Sequence, residues 1–303
     1  MSKYQILILA LIFAHLPIYA KWIWTPQDGW INTQYNNKGQ AKKLLENGKN
    51  FLKSGNNAAA RESFEAAWKY FPKTKEGKEA VILLAEMKSK SGDKYSANQD
   101  YDNFLKANPS SSRIQDIAEK QYEIGSAIIR GESSSSPGRG VEVLRGVITR
   151  VPHADFADDA QMTIANYYYK KKMYEEAKVE YIELIKKYKQ SEWLSRAKYL
   201  KALCHYKQYK GIELDGTSLQ SAKKEIDDYV KKYEDSNEFE AAKKTQDDIV
   251  EKLAEKEIFV AEFYIRRGKN DSARIYLHFI LRKYPRTRSA QKAKLLLKRI
   301  AKN

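Results

Sequence analysis

The sequence predicts an all-α fold, a superhelical solenoid of about five to six helix pairs closed by a C-terminal capping helix. Three observations carry that expectation. A trio of small, bulky and apolar residues recurs at fixed spacing before a series of landmarks along the chain. Apolar residues elsewhere follow the period of amphipathic helices. Beyond the N-terminal Trp-rich stretch there is no strand-like alternation.

The stretch Leu253 to Pro285 states the unit in one copy. Ile258, Ala261, Phe263, Tyr264 and Ile265 supply apolar positions of a first helix, while Glu255, Lys256, Glu257, Arg266 and Arg267 stay wet. Gly268 stops that helix, because a left-handed backbone costs glycine little, and Asn270 and Asp271 are candidate caps for the next one. The second helix carries Ala273, Leu277 and Ile280 on one face and ends at Pro285, which lacks the amide a continuing helix needs.

Counting back from Pro285, these three residues lie 12, 8 and 5 positions earlier. The same spacing gives Ala60, Phe64 and Ala67 before Pro72; Ala97, Tyr101 and Phe104 before Pro109; and Gly140, Leu144 and Val147 before Pro152. Lys189 follows Ala177, Tyr181 and Leu184, and Glu234 follows Ala222, Ile226 and Tyr229. The six landmarks stand 37, 43, 37, 45 and 51 residues apart, somewhat longer than the roughly 34-residue tetratricopeptide unit. Leu44, Gly48 and Phe51 hold the large, small and aromatic places of that unit's first helix. Small residues let helices approach closely, and aromatics fill the space between successive pairs.

Taken in order, the chain opens with Lys3 and an apolar run from Ile6 to Phe13, then turns polar after Ala20. This reads as a secretory signal peptide over residues 1–20, the run being too short to span a bilayer comfortably. An uncleaved anchor is the competing reading. Residues 21–37 form a Trp-rich extension, with turn chemistry at TPQDG. Trp22, Trp24 and Trp30 are read as a cap on the first repeat, or as a strap offering peripheral membrane contact or a partner surface. The repeat domain covers 38–303. Its helix pairs are expected at 38–55 with 57–71, 76–91 with 94–107, 113–130 with 138–151, 155–172 with 174–188, 192–209 with 218–233, and 237–267 with 270–284. A closing helix follows over about 288–302.

Two irregular stretches interrupt the array. GESSSSPGRG, from Gly131 to Gly140, reads as a flexible loop, since it lacks the Gly-Lys-Ser/Thr ending and the preceding strand of a phosphate cradle. Lys210 to Gln220 is a similar insertion. The single cysteine, Cys204, excludes an intrachain disulfide and reads as a small buried thiol. No paired carboxylates, nucleophile with base, or ligand cluster stands out, so neither an enzyme nor a metal nor another cofactor is expected.

The formal charge is +16, and residues 1–20 contribute only Lys3 to it. Such an excess attracts polyanions. Export argues against nucleic acid as the partner, leaving acidic protein surfaces or anionic lipid.

At this point the residues resemble a known family. Ala254, Glu257, Val260, Ala261, Phe263, Tyr264, Arg266, Arg267, Gly268, Ala273, Tyr284 and Pro285 are similar to the closing repeat of the BamD (ComL-type) outer-membrane β-barrel assembly lipoproteins. Trp193 to Tyr206 and Ala222 to Ser236 resemble the preceding repeats. Two departures stand out. There is no cysteine at the mature N-terminus to take a lipid, and Lys256 and Asn270 stand where the family has His and Tyr. The resemblance implies a non-enzymatic periplasmic scaffold, associated with the inner face of the outer membrane. Its partners would be a subunit of the barrel-assembly machine and unfolded outer-membrane proteins or peptides.

A solenoid's concave face suits extended peptides and partner helices. The inward-facing candidates are Lys42 and Lys49 in the first pair, Asn166 and Tyr169 in the fourth, and Glu262 in the sixth, with Arg266 and Arg267 at the end of the sixth first helix. The alternatives are another exported tetratricopeptide adaptor of the cell envelope, and a basic cytoplasmic RNA-binding or chaperone adaptor.

Overall fold

The computed structural model describes residues 22–25, 29–32, 38–212 and 216–301. The expected signal segment lies outside them. Two short strands, β1 (Trp22–Thr25) and β2 (Gly29–Asn32), pair antiparallel with Trp24 opposite Trp30. Trp30 is 68% exposed, and the side chains of Trp22 and Trp24 lie outside the described ones.

The helices are α1 (Lys38–Lys53), α2 (Asn57–Tyr70), α3 (Lys75–Lys90), α4 (Lys94–Ala107), α5 (Ile114–Arg130), α6 (Pro137–Arg150), α7 (Ala157–Lys170), α8 (Tyr174–Lys187), α9 (Leu194–Lys207), α10 (Thr217–Lys232), α11 (Phe239–Arg266), α12 (Asn270–Lys283) and α13 (Arg288–Ile300). They make six consecutive pairs and a closing helix among the described residues. The chain divides into two compact units, up to Val143 and from Leu144.

In the first unit, successive helices from α1 to α5 pack each on the next, and α1 also meets α3. One cluster centres on Leu44, Ala60, Phe64, Ala67 and Ala80, a second on Ile82, Ala97, Tyr101, Ile117 and Ile128. In the second unit a cluster around Met162, Ala177, Tyr181 and Cys204 is followed by a larger one running from Tyr199 to Ile300. The residues at the 12, 8 and 5 positions are buried in all six copies. That fixes the register, since a shift of one residue would turn each trio by about 100°.

Turn chemistry explains the pair boundaries. Gly55 and Gly268 adopt φ of +79° and +69°, the left-handed conformation that ends a first helix. At Pro72 and Pro285 the landmark is followed by a threonine cap. Thr74 Oγ1 donates to the Phe71 carbonyl (2.8 Å) and accepts from the Gly77 amide (3.0 Å). Thr287 repeats this with Tyr284 (2.7 Å) and Ala290 (3.0 Å). The expected caps Asn270 and Asp271 do not form: α12 starts after Lys269 without a side-chain cap, and Asp271 instead pairs with Arg274 at 2.7 Å.

Candidate protein-docking surface

Several polar side chains of the first helices are tied into inter-repeat contacts. In the first unit Lys49 of α1 lies 3.9 Å from Glu79 of α3. Glu79 also pairs with Arg113, which precedes α5 and binds Asp116 at 2.6 Å. Lys120 of α5 lies 3.0 Å from Glu86 of α3. Beside this ladder, α3, α4 and α5 line a cavity of about 600 Å³ that includes Lys90, Lys94, Glu123 and Arg130. In the second unit Glu251 of α11 caps α13, accepting from the amides of Arg288 (2.8 Å) and Ser289 (2.9 Å) and from the Ser289 hydroxyl (2.7 Å). Burial opposes its charge, yet these donors hold its carboxyl below the usual carboxylate range.

A second set of polar contacts, buried or half-buried, joins neighbouring helices. Gln121 of α5 is 2% exposed; its amide donates to Asn98 (2.7 Å) and Asp102 (2.9 Å) of α4. Gln246 of α11 donates to Asp227 of α10 at 2.7 Å. Gln161 of α7 donates at 2.5 Å to Glu180 of α8, which also pairs with Arg145. Each glutamine stands 19 residues from its acid. Apolar periodicity does not reveal them, because an isolated Gln adds nothing to an apolar pattern.

The expected site residues fall into three groups. Lys42 is exposed and pairs within α1 with Glu46 at 3.8 Å, while Lys49 belongs to the ladder above. Asn166 accepts from the Tyr181 hydroxyl (2.9 Å), and Tyr169 packs edge-on to Tyr174 at 5.5 Å, with burial pushing its hydroxyl up to about 12. These two serve packing within the fourth pair. Glu262 pairs with Lys292 of α13 at 2.7 Å, and Arg266 and Arg267 are exposed at the end of α11.

The last three border a surface that is more than a helix end. Phe259 and Phe263, one turn apart on α11, are 36% and 42% exposed, and the Arg267 guanidinium lies 5.0 Å from the centre of the Phe263 ring. Phe263, expected as an apolar core position, is therefore on the surface, because Ile258 and Ala261 already occupy the core face of this turn. Phe259 also lines a groove of about 370 Å³ with Glu255, Glu262, Arg288 and Lys292. Exposed aromatics beside arginine are the composition enriched at the energetic centres of protein interfaces.

Cys204 is buried, and that burial pushes its thiol up to about 12, leaving no reactive thiolate. Among the described residues no cluster of three or more His, Cys, Asp or Glu could hold a metal, and no helix is long and apolar enough to cross a membrane.

The sequence matches a family model described as YfiO, outer membrane lipoprotein, over residues 37–122 and 122–303. No curated protein matches. Among solved structures, the chain is similar to a tetratricopeptide repeat protein from Parabacteroides merdae, at 13% identity and a TM-score of 0.36, covering 86% of this chain and 98% of that one. The C-terminal part of a repeat-containing protein from Cytophaga hutchinsonii matches at 12% identity, TM-score 0.40, over 86% and 88% of the two chains. PilF of Pseudomonas aeruginosa matches at 13% identity, TM-score 0.31, over 85% and 97%.

Proposed function

Because the chain belongs to the outer membrane lipoprotein family whose model spans residues 37–303, we propose that it is a non-enzymatic scaffold of the BamD kind. It works on the periplasmic side of the outer membrane, receiving unfolded β-barrel proteins and docking on a subunit of the machine that assembles them. The exposed surface at the end of α11, with Phe259, Phe263, Arg266 and Arg267, is the observation that supports this best. Both rings lose solvent when a partner covers them, and each guanidinium has donors to fork onto an acidic residue of that partner. Lys42 and Lys49 on α1, each beside a glutamate at 3.8 and 3.9 Å, can exchange Glu46 and Glu79 for a carboxylate-bearing client.

Crosslinking in intact envelopes followed by co-purification tests both halves. Arg266→Glu with Arg267→Glu should abolish recovery of the assembly subunit and leave the melting temperature nearly unchanged. Lys42→Glu with Lys49→Glu should weaken client binding alone. Wild-type recovery in both variants would refute the placement.

A further inference from the structure

The positive charge is not spread along the chain. From Arg266 to Asn303 the sequence holds 13 Lys or Arg and a single acid, Asp271, so this short segment carries +12 of the formal +16. It comprises α12 and α13, the last second helix and the closing helix. Two of the cations are neutralised, Arg274 by Asp271 and Lys292 by Glu262. Lys294, Lys298 and Arg299 are exposed and make no ion pair among the described residues.

The same two helices carry the two most exposed large aliphatic side chains among the described residues, Ile275 at 70% and Leu295 at 67%. A closing helix ordinarily turns a polar face outward to keep a repeat array soluble. Here Leu295 stands within one turn of Lys292, Lys298 and Arg299 on α13, and Ile275 precedes His278 and Arg282 on α12. Cations surrounding an exposed aliphatic group are what a bilayer surface selects: the charges meet anionic headgroups and the aliphatic group enters the acyl boundary. A nucleic acid would use the cations and leave the isoleucine and leucine without a role.

We propose that α12 and α13 form a peripheral docking surface for an anionic phospholipid bilayer. The inference rests on the envelope reading above. It gives a chain without a cysteine near residue 20 a non-covalent hold on the membrane whose proteins it handles.

The test is co-sedimentation of the chain from Lys21 onward with vesicles containing phosphatidylglycerol, against vesicles of phosphatidylcholine alone. Binding is expected only to the anionic vesicles, and it should fall steeply as salt shortens the screening length. Lys294→Glu with Lys298→Glu and Arg299→Glu should weaken it about a hundredfold, from roughly fivefold per cation removed. Leu295→Ser should weaken it severalfold with an unchanged melting curve. Equal binding to neutral vesicles, no binding to either, or insensitivity to Leu295→Ser alongside equally tight binding to duplex DNA would overturn the proposal. The vesicles hold no protein, so this outcome is independent of whether the assembly subunit co-purifies.

Discussion

At the scale of single residues, a hydrogen atom in place of a methyl group decides how closely α1 approaches α2. A Cβ at Gly48 would run into the ring of Phe64, which is fully buried. Gly48→Ala should therefore cost about 1–3 kcal/mol, the usual range for overpacking a core, read from denaturant unfolding. Helix α6 offers a sharper comparison. A Cβ on Gly140 would sit 2.7 Å from the Gly125 carbonyl oxygen, backbone that cannot swing aside, whereas one on Gly146 would meet nothing within 4 Å. Gly140→Ala should destabilise, and Gly146→Ala should stabilise by up to about 1 kcal/mol through its helix propensity. Gly140 takes the place that alanine fills in the other five copies, so its role was legible as a small residue. That backbone approach there excludes even alanine was not, since spacing reports which position is buried and not how near its neighbour lies.

Among elements, the second helices were read almost residue for residue, and the closing helix nearly so, because the landmarks and the trios spaced before them point to the same boundaries. The surroundings of individual side chains were less legible. Lys49 and Glu262 were expected to face a ligand and are engaged by neighbouring repeats, whereas Phe263 was expected inside and lies outside. One physical reason underlies these placements: a helical period assigns a face, and which neighbour covers that face depends on the next repeat. The capping of α13 by Glu251 is such a tertiary device, invisible in the local sequence. Glu251→Ala should destabilise by about 1 kcal/mol at neutral pH, toward the low end for charged hydrogen bonds because the carboxylate is only partly buried. Since its folded pKa is depressed, this stabilisation is present above the unfolded carboxylate value and is lost as pH falls through the folded one. Melting curves of variant and parent should converge in acid.

For the whole molecule, composition said that the chain is basic, but an average hid where the charge resides. The landmark analysis likewise gave the order of pairs without the division at Val143 and Leu144, which depends on how densely the helices pack and leaves no mark in the period. The export reading adds a prediction at this scale: the mature protein should begin near Lys21 and carry no lipid, and its intact mass should match the unmodified chain from that residue. An acylated mass, or retention of residues 1–20, would contradict it.

The glutamine-to-acid contacts determine where this protein can be cut and recombined. Gln121 reaches back from a first helix to Asp102 on the second helix before it, and Gln246 does the same to Asp227. A chimaera joined at the landmark turns, Pro109 or Glu234, would leave one partner of such a contact in each parent. Two polar groups, at least partly buried, would then face foreign neighbours. A junction between the first and second helix of a pair keeps them together there, so the transplantable cassette starts at a second helix and ends with the first helix that follows. Around Gln161 and Glu180, which share a pair, the opposite junction is the conservative one. Grafts designed on one uniform boundary should thus succeed at some positions and unfold at others, with the location of a single amide deciding which.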